Sequence, residues 1–340
     1  MRSLSLLFFL FFSVFLHQGF AQTDPTSSTL SFEEITAKLE DNHLEVKLEG
    51  VQELGALNNQ EAFDILVQRL PGMMIVVREE CMKVFAVWEG ALRDSASKVM
   101  LERLFFDNAR TVRRLTASLL GEMAALDRHR MDEESQERAK LIVDSLRQSL
   151  SNDPSRTVRG MAIRGLTSVG DKKNLKLIAD KGLRDKYQTV RLEAVKAFEV
   201  LDDGEHTDIL VEHFQKERGL WVRETLLQTV HKISPEKGIR LLAEVLLTRD
   251  KKTLKILAIE LLKNYRFSPK ELRDKAIELF ERAYLFAGSD QSLRFVILEA
   301  FIEFGTEEKA VQRVLQRALK DKKKLREKAQ EALGLSFEEK

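Results

Sequence analysis

A short phrase recurs along this chain: an apolar residue, then Arg or Lys, opening an amphipathic run. The basic residue falls at Lys47, Arg78, Arg113, Arg159, Arg191, Arg223, Lys255, Arg294 and Arg326, with successive steps of 31, 35, 46, 32, 32, 32, 39 and 32 residues. A period of 31 or 32 in five of the eight steps marks a stacked array, in which each unit buries its apolar face against its neighbours. Such a chain has little room for a compact enzyme core.

Three central units show the internal grammar. Asp153, Val158, Arg159, Ala162 and Leu166 stand in the same relative places as Asp185, Val190, Arg191, Ala194 and Phe198, and as Glu217, Val222, Arg223, Leu226 and Val230. An acid precedes the Arg by six residues, and apolar side chains follow at i, i+4 and i+8, on one face of a helix. The segments 174–183 and 207–214 between these phrases read as the partner helices of hairpins. The first unit is already visible at Val46 and Lys47, followed by Gly50 and Leu54. Ser31 with Glu34 forms a capping-box pattern that starts the first helix. Pro71, Pro154, Pro235 and Pro269 fall at helix boundaries, where a missing donor is tolerated. No alternating strand pattern is sustained, so the expectation is an all-α fold of about nine stacked hairpins. The period stretches by about fourteen residues after Arg113 and by seven after Lys255, which is four and two helical turns. Lengthened helices and loops both fit these insertions, and either can shape a binding surface.

The ends set the expected compartment. Arg2 precedes a mostly apolar run from Leu4 to Leu16, and Gly19 and Ala21 follow. This pattern fits a signal peptide over residues 1–21, with a polar leader over 22–30, the array over 31–335 and a short tail over 336–340. The expected location is a bacterial periplasm; the alternative is an N-terminal membrane anchor with the array outside the cytoplasm. Nothing after residue 21 reads as a transmembrane segment. The single cysteine, Cys81, cannot form an internal disulfide, and it stands where other units carry Ala, as a small buried residue should. With 55 Lys and Arg against 54 Asp and Glu, the composition argues against a bulk polyanion binder.

These residues resemble the HEAT-repeat superfamily, in particular the short HEAT-like repeats of phycobilisome lyases. The pairs Val112-Arg113, Val158-Arg159, Val190-Arg191 and Val222-Arg223, the acids Asp107, Asp153 and Asp185, and the small residues Ala162, Ala194, Ala258 and Ala329 carry the resemblance. Departures lie further out: Gly72, Arg249, Gly288 and Lys320 occupy the acid position, and Lys47 and Lys255 replace the Arg. The resemblance implies a right-handed α-solenoid, a HEAT-like or armadillo-type superhelix. On this reading Asp107, Asp153, Asp185, Arg113, Arg159, Arg191 and Arg223 are structural. Each acid accepts backbone N–H groups at its turn, and Asp and Arg pair between adjacent repeats.

Catalytic material is sparse. His43, His129, His206, His213 and His231 form no His-Glu-x-x-His motif, and no Gly-rich phosphate loop or Gly-x-Ser-x-Gly is present. The nearest cluster pairs Glu205-His206 with Glu212-His213, but Gly204 makes His206 a turn residue. HEAT-like hydroxylases that bind iron repeat a His-Glu pair, and this chain has none in that order. No cofactor or metal is expected. Basic stretches at 103–114 and 320–328 read as solvated surface, and export argues against nucleic acid. The expected function is therefore an exported, non-catalytic scaffold that binds another protein or peptide on its concave face, as a monomer or weak oligomer. Arg164, Lys196 and Gln228, each five residues beyond a marker Arg, and the aromatic Tyr187 and Trp221 are the candidate contacts. The alternative is an enzyme or a metal- or cofactor-handling protein on the same solenoid, which convergence of His206, His213 and carboxylates in one pocket would favour. A nucleic-acid or anionic-surface binder, with peripheral membrane contact, is the remaining reading.

Overall fold

The computed structural model describes residues 30–201 and 204–335. The expected signal peptide, the leader up to residue 29 and the tail over 336–340 lie outside the described residues. Among the described residues every regular element is helical. The chain divides into two compact units at Met73.

The first unit holds α1 (Phe32–Lys38), α2 (Leu44–Leu57) and α3 (Gln60–Arg69), closed by a 3₁₀ turn over Leu70–Gly72. The Ser31–Glu34 capping box forms as the sequence predicts: Glu34 N–H donates to Ser31 Oγ, and Ser31 N–H donates to Glu34 Oε2 at 2.7 Å. Gly50 brings α2 against α1 so closely that a Cβ there would lie 2.8 Å from Lys38 Cβ. Lys38 crosses the same contact to Glu53 at 2.8 Å.

The second unit begins with α4 (Ile75–Val87) and continues as hairpins, each a first helix followed by a second helix that carries the marker cation. The pairs are α5 (Ala91–Phe106) with α6 (Arg110–Asp127), and α7 (Glu133–Asn152) with α8 (Arg156–Val169). The next pair is α9 (Asn174–Leu177), prolonged by a π-helical turn over Ile178–Leu183, with α10 (Gln188–Leu201). Then come α11 (Thr207–Lys216) with α12 (Leu220–Ile233), and α13 (Pro235–Leu246) with α14 (Lys252–Lys263). The last are α15 (Lys270–Phe286) with α16 (Gln291–Ile302), and α17 (Lys309–Ala318) with α18 (Lys323–Leu333). Apolar residues at i, i+4 and i+8, such as Val190, Ala194 and Phe198, are fully buried between successive hairpins. This is an all-α solenoid.

Both stretched periods are absorbed as extra helix. The helices α6 and α7 span 18 and 20 residues and α15 spans 17, against 14 for α8, α10 and α12. The second helices α6 and α8 meet backbone to backbone, since a Cβ on Gly121 would sit 2.3 Å from Gly165 Cα. Gly121 has no room for a Cβ, and one on Gly165 would crowd Ala117 O at 3.0 Å.

Candidate interaction face

The marker cations form a ladder from repeat to repeat. Arg78 pairs with Asp107, Arg113 with Asp153, Arg159 with Asp185, Arg191 with Glu217, Arg223 with Asp250 and Arg294 with Asp321, at 2.6–2.9 Å. Each guanidinium thus reaches the turn of the following hairpin. Arg113, Arg159 and Arg191 also donate Nη1 to a main-chain carbonyl six residues back in their own turn, at 2.8–2.9 Å. The acids cap their turns in the same geometry: Asp107, Asp153, Asp185 and Glu217 each accept the N–H two residues on, at 2.6–2.8 Å. One group therefore closes a turn and receives the neighbouring repeat. Hydrogen bonds donated to the Asp153 and Asp185 carboxylates hold Arg113 and Arg159 above the usual guanidinium range. Burial alone would raise Glu217 and Asp250, but the bonds from Arg191 and Arg223 outweigh it and hold both carboxyls below their ordinary values.

One sequence reading is corrected here. The acid is not lost where Arg249 and Lys320 stand; Asp250 and Asp321, one residue later, take its place on Arg223 and Arg294. A one-residue shift within a turn still presents a carboxylate to the neighbouring Arg, because the turn has no fixed helical phase. At Lys255 the cation is a short point charge that lies 5.0 Å from the Phe286 ring centre.

With the marker residues turned to the ladder, another face of the second helices is left to solvent, except in α6, where Thr111 and Ser118 are half-buried. Positions two before, five after and nine after the marker are seven and four residues apart, and so nearly in phase on a helix. In α8 these are Thr157, Arg164 and Ser168; in α10 Thr189, Lys196 and Val200; in α12 Trp221, Gln228 and Lys232; all are exposed. The same register is exposed at Val76, Lys83 and Val87 of α4, and Glu260 and Glu299 continue the central row on α14 and α16. The row runs from basic through Gln228 to acidic. Local partners temper its charges: Glu193 takes Arg164 in a two-point pair at 2.6 and 2.7 Å and lies 3.6 Å from Lys196, and Lys263 lies 3.5 Å from Glu260. Trp221 and Val200 are each 68% exposed, a large apolar surface on a face of hydroxyls and charges. Tyr187 stands apart: it is half-buried, with Arg156 and Lys186 each 5.2 Å from its ring centre.

Two features had no signal in the repeat pattern. Beside the first insertion, Asp127 is fully buried between Arg93 and Arg138, accepting their Nε–H groups at 2.9 and 2.7 Å. Arg93 Nη2 has no acceptor among the described residues. This cluster ties α5, the end of α6 and α7 together, with one buried positive charge in excess. The second feature is a cleft of about 680 Å³ between the π-turn and α11. Lys176, Asp180 and Arg184 form one wall; His206, Glu212, His213 and Lys216 form the other. Ala179, Leu183 and Ile209 complete the lining. His206 precedes α11 as a turn residue, as Gly204 suggests, with Gly204 at φ +103°. His213 Nε2 lies 3.3 Å from Glu217 Oε2 but out of line for a hydrogen bond. Burial keeps the His213 imidazolium disfavoured, helped by Arg191 and Arg184 and opposed by Glu217. Among the described residues no group of three or more His, Cys, Asp or Glu stands where it could hold a metal ion. Cys81 is fully buried and burial pushes its thiol up to about 12, far from a nucleophile at neutral pH.

Residues 143–231 match the family described as HEAT repeats, and the chain is a HEAT-repeat-like, all-helical solenoid. No curated protein matches it in sequence. Solved structures resemble it at low identity. The Escherichia coli protein YIBA is 16% identical, with 92% of this chain and 100% of that chain covered and a TM-score of 0.42. The complex of CpcE and CpcF of phycocyanin lyase from Nostoc sp. PCC7120 is 15% identical, covering 77% and 98%, with a TM-score of 0.34. Human deoxyhypusine hydroxylase is 17% identical, covering 83% and 98%, with a TM-score of 0.33. Among the described residues no helix is long and apolar enough to cross a membrane.

Proposed function

We propose that this chain is a non-catalytic scaffold that binds another protein or peptide through the exposed face of its second helices, in an exported setting suggested by the pattern over residues 1–21. The observation that carries this reading is the register: the same three positions are exposed in α4, α8, α10 and α12, and at one of them Trp221 presents 68% of its surface. A partly desolvated Trp amid adaptable polar groups is the composition of an interaction hot spot. The change from Lys83, Arg164 and Lys196 to Glu260 and Glu299 along the row fits an elongated partner of opposite polarity. The test is a photo-crosslinking residue placed in turn at Lys196, Gln228 and Glu260, with Glu278 on α15 as a position outside the face. Adducts of one partner from the face positions alone, lost on Trp221→Ala, are expected. Equal labelling from Glu278, or adducts indifferent to Trp221, would refute the reading.

A second reading, a solenoid that handles a small molecule or performs chemistry on it, is favoured by one observation. His206 and His213 share a cleft with Asp180 and Glu212, and such convergence of imidazoles and carboxylates is the mark of that class.

A further inference from the structure

The cleft lies on the first helices of two consecutive hairpins, away from the face assigned to a macromolecular partner. Its shape begins with the π-turn. In an α-helix, Lys176, Asp180 and Arg184 would be i, i+4 neighbours and would pair. The turn over Ile178–Leu183 is π-helical, which inserts extra backbone and shifts the helical phase of the residues after it. Gly182 fixes this turn in place: a Cβ there would meet Ala194 Cβ at 2.9 Å and Ile163 Cδ1 at 3.0 Å. The outcome is a wall on which neither Lys176 nor Arg184 has a carboxylate of the described residues within ion-pairing distance. Across the cleft, Lys216 takes Glu212 at 2.5 Å, and Arg184 acts on that carboxylate only at longer range, so Lys176 and Arg184 are the cations of the lining outside any ion pair among the described residues. Beneath these groups Leu183 and Ala179 are buried, a floor on which the half-buried Ile209 presents the accessible apolar surface.

We propose that this cleft binds a small organic anion, a carboxylate or phosphate carried on an apolar body, with Arg184 and Lys176 taking the charge and Ile209 taking the body. Arg184 is the main anchor, because a guanidinium can hold either anion in a two-point contact. Among the described residues of the lining, Asp180 is the one unpaired acid, and it opposes the ligand. That sign gives the proposal its sharpest test, since a zwitterionic or cationic ligand would need Asp180 instead.

The probes are phenyl phosphate and 4-phenylbutyrate, titrated calorimetrically against the full chain, with inorganic phosphate and benzyl alcohol as comparisons. Hydrogen exchange over 174–184 and 206–216 locates the binding. At least one probe is expected to bind with a Kd of about 1 mM or tighter, and Arg184→Met to weaken it about tenfold, the effect of one charge-assisted contact. Asp180→Asn is expected to tighten it several-fold. Arg184→Lys keeps the charge without the two-point geometry and should fall between wild type and Arg184→Met. Both residues are exposed, so circular dichroism melts should coincide for all variants. Absence of saturable binding at about 10 mM of either probe, equal affinity for inorganic phosphate or benzyl alcohol, or weaker binding in Asp180→Asn overturns the proposal. None of these outcomes depends on whether the second-helix face binds a protein.

Discussion

The ladder makes a quantitative claim that a double-mutant cycle can test, and the Arg159–Asp185 rung is the best placed. Arg159 donates Nε to Asp185 Oδ2 at 2.7 Å and Nη2 to Oδ1 at 3.0 Å, and both side chains are at most one-tenth exposed. It also holds the carbonyls of Asp153 and Pro154 at 2.9 and 3.2 Å. Arg159→Met keeps the stem and removes the head, leaving a buried carboxylate whose remaining bond is the Tyr187 N–H at 2.8 Å. Breaking a buried pair from one side costs about 3–5 kcal/mol, and the retained Tyr187 bond places this case near the lower end, at about 3 kcal/mol. Asp185→Asn preserves shape and the Tyr187 bond but removes the charge, at about 2 kcal/mol. The two sites share one interaction, so the double variant should cost about 2 kcal/mol less than the sum of the single variants. Long repeat arrays need not unfold in one step. The readout should therefore be hydrogen exchange of α8 and α10 alongside urea melts. Additivity within about 0.5 kcal/mol would show that the two residues do not act as a pair, and the structural assignment of the ladder would fail.

Gly121→Val should force α6 away from α8, because the glycine has no room for a Cβ against Gly165; a loss of about 2–3 kcal/mol is expected, and a melt within error of wild type would refute the contact. Cys81 should resist a thiol reagent at pH 8 until the surrounding helices open, since burial holds its thiol near 12; rapid stoichiometric labelling of the native protein would contradict its position. The Asp290 carboxyl, bonded first by Leu293 N–H at the start of α16 and then by Ser292 and Lys252, is held down to about 2. A folded value below the unfolded one, about 3.9, means that its contribution is complete above that value and is lost as the pH falls through about 2. Exchange protection of α16 should follow that window in the wild type and lose the dependence in Asp290→Asn, whereas identical acid profiles would rule out this cap as the cause.

Recurrence decides which parts of this molecule are legible in its sequence. The repeat, the helix starts and the buried i, i+4, i+8 residues can be read because every hairpin solves the same packing problem, so the solution returns at a readable period. The acid–Arg pairing is legible for the same reason, except at Asp250 and Asp321, where the carboxylate moves one place along a turn that imposes no phase. Features that occur once leave no period to detect. Asp127 and Arg138 lie eleven residues apart in a strongly charged stretch, and their pairing is completed by Arg93, thirty-four residues before Asp127, arriving from another helix. The π-turn is equally silent, because Lys176, Asp180 and Arg184 have the spacing of an ordinary salt-bridged helix, and only the π-helical turn over Ile178–Leu183 shows the change of phase between them. In a solenoid the departures from the repeat are thus where one hairpin can differ chemically from the next. The ladder arginines are committed to carboxylates and carbonyls in repeat after repeat, so both proposals rest on groups outside the ladder: Trp221 and the exposed row around it, and the unpaired wall of the cleft.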